Sequence, residues 1–334
     1  MSVPRPSGEP RAAWTGRALG GRESLVQMLD RDHLAAIDAI LADTRDLAPQ
    51  AVTREHFNHP LLDAFLSEVL DEIVRGRGVV VIGGLSPERY TVEEFERIYW
   101  GFGTHWGIAA VQSISGDRLG RVRSKPGSSH TYQTDAELVF HTDPHEIIGL
   151  MCVEKAVSGG ESELVSALAI HDRLAAARPD LLGALYRGFP YAFKYTARPN
   201  HVTDYDVPVF CAAGGRVSCV YVRGSIKNAA KIVGRSIPKD LAEGLDAFNA
   251  IADDPDTKLS FVLEPGEMLM VNNFTVLHSR RAFEDTAAHR RYLLRMWLDV
   301  PNGRPVIAAY SQYIEDHHVA RLDFERKQGA DAAG

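Results

Sequence analysis

Residues 139–146 read Val-Phe-His-Thr-Asp-Pro-His-Glu and combine a short apolar run with two potential metal ligands. Side chains two positions apart on an extended strand point to the same face, so His141 and Asp143 can bind one metal ion. The apolar pair before them predicts a buried strand, and Pro144 ends it because proline cannot donate to a sheet ladder. A His-x-Asp pair alone is common, and a surface strand end is the alternative interpretation. A third ligand elsewhere in the chain is therefore needed.

A second stretch, residues 266–278, supplies that ligand. It predicts a turn at Gly266, then a strand, then His278 after another apolar run, and the basic, apolar segment 290–298 follows. Two histidines and one carboxylate on one face of a metal, with other positions open, form the ligand set of non-haem Fe(II) oxygenases. We interpret His141, Asp143 and His278 as such a triad, with an ordinary core histidine as the alternative for His278.

The composition limits the classes of protein to which the chain can belong. The chain has 334 residues, 45% of them hydrophobic and 24% charged, which is ample for a large core. The net charge of −7 argues against a nucleic-acid partner. The sequence has neither an apolar run long enough to span a membrane nor a signal-peptide pattern, so we expect a soluble, cytoplasmic protein with a small-molecule partner. Assembly into a homo-oligomer is compatible with the sequence. Three cysteines without Cys-x-x-Cys spacing suggest buried, reduced thiols.

The predicted elements favour a mainly β fold with flanking helices. Helical patterns occupy residues 32–47, 60–75, 91–100, 167–174, 179–186 and 239–251. Strand patterns occupy residues 78–84, 121–123, 138–140, 147–153, 163–166, 191–195, 207–210, 216–221, 259–263, 268–271 and 292–299. Many short strands with two distant metal-bearing stretches suit a double-stranded β-helix, a jelly-roll or cupin-like barrel with the site at its mouth.

The domain organisation follows from the same patterns. Residues 1–23 are rich in Pro, Gly, Arg and Ser, and we expect a flexible arm there, with Trp14 as a candidate anchor. Residues 24–334 are predicted to form a single oxygenase domain. Within it, helices extend to about residue 100, the double-stranded β-helix core covers about 101–300, and a C-terminal tail covers 301–334. From residue 316 onward we expect a frayed helix.

Five segments in order carry a resemblance to a known family. They are residues 140–143 (Phe-His-Thr-Asp), 158–162 (Ser-Gly-Gly-Glu-Ser), 265–267 (Pro-Gly-Glu), 272–278 (Asn-Asn to the histidine) and 291–295 (Arg-Tyr-Leu-Leu-Arg). On these segments the chain resembles the taurine dioxygenase (TauD/TfdA-like) superfamily of Fe(II)/2-oxoglutarate-dependent oxygenases, over roughly residues 100–300. The resemblance implies Fe(II), 2-oxoglutarate as cosubstrate, and O2.

The resemblance also implies roles for individual residues. His141, Asp143 and His278 would bind the iron. Arg291 would hold the distal carboxylate of 2-oxoglutarate, and Ser162, where relatives often have threonine, would help. Arg295 would assist the cosubstrate or reach an anionic group of the prime substrate. Because the spacing after the distal histidine varies among subfamilies, the main clamp stays open between Arg291, Arg295 and the neighbouring Arg290.

The chemistry of these residue types supports an oxidation. A guanidinium can form two parallel hydrogen bonds to one carboxylate, whereas the ammonium group of a lysine cannot. Asp143 occupies the position that halogenases leave for chloride, which favours oxygen chemistry. We expect a dioxygenase that hydroxylates an amino-acid-derived or natural-product small molecule and releases succinate and CO2. Desaturation, cyclisation or epimerisation would use the same cofactors. A non-catalytic cupin-like metal-binding or sensor protein and a zinc hydrolase are the rivals, and neither needs Arg291.

Several other residues are candidates for the substrate pocket. Gln112, Tyr132 and Glu137 precede the ligand strand, and Glu137 is placed to meet an amine. Arg123 lies in a basic segment that favours an exposed face over an anionic-substrate patch. His145 is predicted to lie behind the ligands or on the substrate side, without binding the metal itself.

Three polar residues near the ligands have two interpretations each. Asn272 and Asn273 either orient the distal ligand or satisfy the backbone of a turn. Glu146 either caps a turn or hydrogen-bonds a ligand from behind.

Overall fold

The computed structural model describes residues 7–112, 116–125, 133–194 and 198–331, with side chains to residue 320. The strands are β1 Val26–Met28, β2 Val79–Gly83, β3 Ile108–Ala109, β4 Gly120–Arg123, β5 Leu138–His141, β6 Ile147–Glu154, β7 Ser158–Gly159, β8 Ser162–Ser166, β9 Phe210–Ala213, β10 Arg216–Cys219, β11 Leu259–Phe261, β12 Met268–Asn272, β13 Val276–Arg280, β14 Phe283–Glu284 and β15 Tyr292–Asp299. The helices are α1 Gly16–Leu19, α2 Arg31–Asp43, α3 Pro60–Arg75, α4 Val92–Trp106, α5 Ala167–Ala177, α6 Pro179–Arg187, α7 Arg223–Val233, α8 Lys239–Ala252 and α9 Ala308–Asp331.

Two sheets form the core of a double-stranded β-helix, as the sequence predicts. The major sheet has the order β1-β2-β12-β6-β15-β3, with β4 also paired to β15, and the minor sheet has the order β11-β8-β13-β5. A cluster of buried apolar side chains fills the space between the sheets, among them Leu164 from the minor sheet and Leu269 and Leu293 from the major one. Both sheets therefore turn residues toward one interior.

The helices cover the outside of this barrel. Helices α2–α4 pack on the outer face of the major sheet in a second apolar cluster, and α5, α6, α8 and α9 contribute to a third. The start of α4 confirms the predicted capping box, because Thr91 and Glu94 satisfy each other's backbone N–H groups. Helix α3 has the predicted bounds. Among the described residues no helix is both long and apolar enough to cross a membrane.

The N-terminal segment differs from the predicted flexible arm where it is described. Trp14 is 5% exposed and donates from Nε1 to the carbonyl of Arg77 at 2.9 Å, as the suggested anchor would. Ser7 hydrogen-bonds Asp172, and Glu9 pairs with Arg304. Residues 7–23 are therefore packed against the barrel, because aromatic burial and ion pairing outweigh a composition typical of loops.

Three further elements differ from the sequence prediction. The predicted strand at 191–195 is reduced, in its described part, to an isolated bridge between Ala192 and Val202. Helix α7 lies in a segment for which the pattern predicted nothing, and α9 begins at Ala308, before the expected frayed tail. Tyr310 and Tyr313 are 0% and 4% exposed, so tertiary packing of aromatic side chains anchors α9.

Candidate active site at the mouth of the barrel

Sheet register brings the predicted triad together. Strands β5 and β13 pair antiparallel with His141 directly opposite His278, and the two ring centroids are 4.4 Å apart. Asp143 follows β5, and its two carboxylate oxygens lie 3.7 Å from the Nε2 atoms of His141 and His278. One ligand atom from each residue lies within 4.8 Å of the others, so one metal ion can contact all three.

The two imidazoles are prepared for metal binding. The Nδ1 atom of His141 lies 2.9 Å from the carbonyl of Val139, which assigns the ring proton to Nδ1 and leaves the Nε2 lone pair free. His278 makes no hydrogen bond to the described residues, and its Nδ1 is fully buried. Burial lowers the pKa of His278 to about 3, so this ring is neutral at neutral pH. Each ring thus presents its Nε2 toward Asp143, where a divalent metal can be bound.

Asp143 is held in place from two sides. Its Oδ2 accepts a 2.7 Å hydrogen bond from Nε1 of Trp297, and its backbone N–H donates to Oδ1 of Asn273 at 3.1 Å. Burial alone would raise the pKa of Asp143, but the neighbouring His278, His141 and Arg295 side chains, with the Trp297 bond, lower it to about 2. The carboxylate is therefore ionised and fixed in orientation, as a metal ligand requires.

The two asparagines take the turn role suggested by the sequence, and among the described residues neither bonds the distal ligand His278. Asn273 accepts from the Asp143 amide and donates from Nδ2 to the carbonyl of His145 at 2.8 Å. Asn272 donates to Glu146 at 3.3 Å and accepts from the Phe274 amide at 2.9 Å. Asn273 thus satisfies the turn after β5 and positions Asp143, whereas Asn272 satisfies the turn that follows β12.

An inner cavity extends from the triad between the two sheets. It is lined by Val122, Leu138, His141, Asp143, Ile148, Leu150, Ser162, Leu164, Leu269, His278, Ser279, Arg280, Arg291, Leu293 and Arg295. Arg291 is 6% exposed, and its guanidinium lies 5.3 Å from the centroid of the Phe283 ring. Burial lowers the pKa of Arg291 to about 10, so it remains a cation at neutral pH.

The surroundings of Arg291 favour the binding of an anion. Within the described part of the chain no carboxylate forms an ion pair with its guanidinium, and an unpaired buried charge is costly. Ser162 lines the same cavity and is 5% exposed. A carboxylate entering between them would be paired and hydrogen-bonded at once.

Arg295 lies at a different place. Its Nε donates to Oε1 of Gln112 at 2.7 Å, and its guanidinium lies 4.6 Å from the Trp297 ring centroid. It lines both the inner cavity and a second, outer one. Arg290 is exposed. The geometry therefore favours Arg291 as the clamp deep in the barrel, with Arg295 held beside Asp143 at the junction of the cavities.

The outer cavity opens on the other side of Asp143. It is lined by residues 137–144, 192–194 and 222–225 together with Arg295, Trp297, Tyr313 and His317. Tyr313 of α9 stacks on Phe193, with centroids 5.8 Å apart and planes 25° from parallel, and His317 meets the Trp297 ring edge-on at 6.4 Å. This cavity has an aromatic wall and leads to the triad.

The four suggested substrate residues are dispersed. Glu137 is exposed and lines the outer cavity. Gln112 is fully buried and fixes Arg295, and exposed Arg123 lies 3.7 Å from the centroid of the Tyr292 ring. His145 is 1% exposed, pairs with Asp299 at 2.8 Å and packs on Trp297. In the described part of the chain, neither cavity is lined by Gln112, Arg123 or His145. Tyr132 lies outside the described residues.

Sequence reasoning missed the contributions of α7 and α9. The signal for α9 is present in the sequence, because Tyr310, Tyr313 and His317 recur at helical spacing and form one face. The turn at residues 222–225 carries no comparable pattern.

A half-buried two-histidine, one-carboxylate group at the mouth of a double-stranded β-helix, with a buried arginine across the cavity, defines the class of 2-oxo-acid-dependent non-haem iron oxygenases. The family model described as "Taurine catabolism dioxygenase TauD, TfdA family" matches residues 43–297. The chain belongs to this family, and it is an Fe(II)- and 2-oxoglutarate-dependent oxygenase that acts on a small molecule.

Characterised relatives agree with this assignment. The chain is 31% identical to FR-33289 synthase of Streptomyces rubellomurinus, over 72% of this chain and 74% of that protein. It is 29% identical to the taurine hydroxylase-like protein SAT17 of Stachybotrys chartarum, over 85% and 77%. Among solved structures it is similar in fold to an asparagine oxygenase bound to Fe(II), 3-hydroxyasparagine and succinate, with a TM-score of 0.67, 15% identity and coverage of 82% and 93%.

Proposed function

We propose that His141, Asp143 and His278 bind Fe(II), that Arg291 with Ser162 holds the distal carboxylate of 2-oxoglutarate, and that the outer cavity receives the prime substrate. The observation that carries the proposal is the convergence of the triad and an unpaired, buried Arg291 on one inner cavity. A sensor or a zinc hydrolase has no use for that cation.

In this proposal the iron and the surrounding residues have separate roles in the reaction. Bound iron supplies the redox chemistry by which 2-oxoglutarate and O2 yield succinate and CO2 while one oxygen atom enters the substrate. Arg291 orients the cosubstrate by a two-point contact. Trp297 and Asn273 keep Asp143 in place. The apolar walls of the inner cavity exclude water from the reacting groups.

We further propose that the substrate is a small amino-acid-derived or natural-product molecule and that hydroxylation is the outcome. The similar solved structures include asparagine oxygenase and OrfP, which was solved with L-Arg, and the relatives include uridine-5'-phosphate dioxygenase. Desaturation, cyclisation and epimerisation would use the same residues. A cytoplasmic location, one oxygenase domain over residues 24–334 and homo-oligomer formation remain predictions from the sequence.

A spectroscopic titration tests the cosubstrate site. Anaerobic protein mixed with Fe(II) and 2-oxoglutarate should develop the weak visible charge-transfer band of a chelated 2-oxo acid. Arg291→Ala should lose the band at cosubstrate concentrations that saturate the parent protein, and Arg290→Ala, which removes an exposed neighbour, should keep it. Absence of the band in the parent protein would contradict the proposal. A substrate library read out by succinate release and product mass would then identify the substrate and separate hydroxylation from its alternatives.

A further inference from the structure

Helix α7 begins at the wall of the outer cavity. Residues Val222, Arg223, Gly224 and Ser225 all line that cavity, and the helix continues for 11 residues to Val233. The first residues of a helix carry backbone N–H groups without an intrahelical acceptor, and the helix dipole adds partial positive charge there. The start of α7 thus directs donors and positive potential to the space where the proposed substrate would lie.

The protein leaves these donors without the usual partners. Val222 at the N-cap offers no side-chain hydrogen bond, and the first turn contains no acidic residue. The amides of Ser225 and Ile226 are satisfied by the carbonyl of Val222, at 2.9 and 3.3 Å. The amides of Arg223 and Gly224 precede any possible intrahelical acceptor. By contrast, the Ser166 side chain caps the helix α5.

A second, independent observation points to a ligand at the same place. Ser225 is 9% exposed, and its hydroxyl has no hydrogen-bond partner among the described residues. Its backbone N–H donates to Val222 and its carbonyl accepts from Ala192, so the side chain is the part of Ser225 that is left for the cavity. A nearly buried, unpartnered hydroxyl beside two unpartnered amides forms a cradle of donors.

The charges around this cradle favour an anion. Arg295 lies in the same cavity, and Arg223 adds a second cation whose head is tied to Asp246 and to the carbonyl of Leu245 at 3.2 Å. Lys194 also lines the cavity. Two carboxylates belong to it: Glu137, which is exposed at the rim, and Asp143 of the triad. Once Asp143 binds a metal, its charge is neutralised.

We propose that the first turn of α7, through the amides of Arg223 and Gly224 and the hydroxyl of Ser225, binds an anionic oxyacid group, carboxylate or phosphoryl, of the prime substrate. This inference rests on the proposed function, since it assumes that the outer cavity receives the substrate. The subsite holds one end of the molecule at the helix, so that another part of it extends toward the triad. A neutral substrate end could accept from these donors but would gain nothing from the positive potential of the helix start.

Three small probes that share a methyl group test the subsite without turnover. Methylphosphonate, acetate and neutral acetamide are titrated into iron-free protein, and binding is followed by saturation transfer to the methyl protons. We expect one or both anions to bind and acetamide not to bind; the anion that binds more tightly identifies the phosphoryl or carboxyl class. Equal binding of acetamide, or no binding of either anion, would overturn the subsite.

Variants at Gly224 locate the bound anion. A Cβ built at Gly224 meets no described atom within 4 Å, so a side chain fits there. Gly224→Asp places a carboxylate at the helix start and should weaken anion binding by at least ~10-fold without lowering the melting temperature. The isosteric Gly224→Asn should stay within ~3-fold of the parent, and Ser225→Ala should lose ~3- to 10-fold. Unchanged affinity in Gly224→Asp would overturn the proposal.

One further variant separates this subsite from the inner cavity. Because the inner cavity is itself proposed to bind a carboxylate, the quantity compared is the part of probe binding that Gly224→Asp abolishes. Arg291→Ala should leave that part unchanged, and its loss in this variant would place the anion in the inner cavity and overturn the subsite. The 2-oxoglutarate charge-transfer band, measured on the same preparations, reports on the proposed function independently. A normal band with anion binding indifferent to Gly224→Asp would refute the subsite alone. A missing band with binding that still depends on Gly224 would refute the proposed function and leave an anion site at α7.

Discussion

The two cavities that meet at Asp143 are built by different parts of the fold. The inner cavity is lined mainly by strand residues from both sheets, including β8 and β13 of the minor sheet and β6, β12 and β15 of the major one. The outer cavity is lined by β5 with the turn after it and by Arg295 and Trp297 of β15, but also by the segment 192–194, the start of α7 and one face of α9. Sheet ladders fix the first, whereas loops and helix ends complete the second beside the residues that the strands contribute.

This difference separates chemistry from specificity. Antiparallel register places His278 opposite His141 and Arg280 opposite Ser162, and a shift by one residue would turn these side chains to the other face. The inner cavity therefore cannot change without disrupting the barrel. The outer wall is anchored by side-chain packing, as in the stack of Tyr313 on Phe193, and can vary while the sheets stay intact. We expect substitutions at the inner cavity to affect every substrate and those at the outer cavity to affect some.

The largest effect should come from removing a triad histidine. His278→Ala deletes a ligand whose ring makes no hydrogen bond to the described residues, so its loss leaves the fold intact but the metal site incomplete. Succinate formation should fall to the level measured without iron, with any substrate. His289→Ala, a change at a more exposed histidine with a 43% exposed side chain, is the control and should retain activity. Appreciable turnover in His278→Ala would show that the triad does not hold the catalytic iron.

The next largest effect concerns the inner arginine. Arg291→Lys keeps the positive charge but removes the fork that contacts both carboxylate oxygens. The KM for 2-oxoglutarate should rise ~10- to 100-fold, as expected from the loss of a charge-assisted hydrogen bond in a buried site. The KM for the prime substrate should change little. Equal rises in both constants would mean that the two cavities do not separate cosubstrate from substrate.

The inner cavity was largely predictable from sequence. Ligand chemistry identified His141 and Asp143, and the apolar run before His278 indicated a second strand. The expected strand alternation does not reach Asp143, because β5 ends at His141 and the bonds to Asn273 and Trp297 place Asp143 instead. Only the resemblance singled out Ser162 and Arg291. The proposal of Arg291 over Arg295 as the clamp needed coordinates, because it depends on which guanidinium Gln112 holds.

The outer cavity was not predictable in the same way. Gln112 and His145 were suggested as pocket residues from their positions near the ligand strand, but both are buried and bind other side chains. Distance along the chain says little about a wall formed by α7 and α9, which lie roughly 80 and 170 residues after the ligand strand. The contacts that seat these helices are tertiary, so no local pattern encodes them.

Trp297 connects the two cavities and should give an intermediate effect. It lines the outer cavity and donates its indole N–H to the metal-facing carboxylate of Asp143. Trp297→Phe keeps an aromatic ring but loses that bond, and iron affinity should fall by ~10-fold, as for other residues that orient metal ligands. Trp14→Phe is the matched control, since Trp14 is also buried and donates only to the Arg77 carbonyl. Equal iron affinity in both variants, measured by competition with a chelator, would show that the Asp143 bond does not tune the metal.

The smallest effect should come from the outer wall. Tyr313→Leu removes the stack on Phe193 without touching either the triad or the inner cavity, and an aromatic pair contributes ~0.5–1.5 kcal/mol beyond its buried area. The relative kcat/KM of two substrates of different size should therefore shift by ~2- to 10-fold, with iron and 2-oxoglutarate affinities unchanged. Val319→Ala, on the exposed side of the same helix, should leave the ratio unaltered. If Tyr313→Leu lowered turnover of all substrates equally, α9 would support the barrel as a whole, and the division between a fixed inner cavity and an adaptable outer one would fail at this helix.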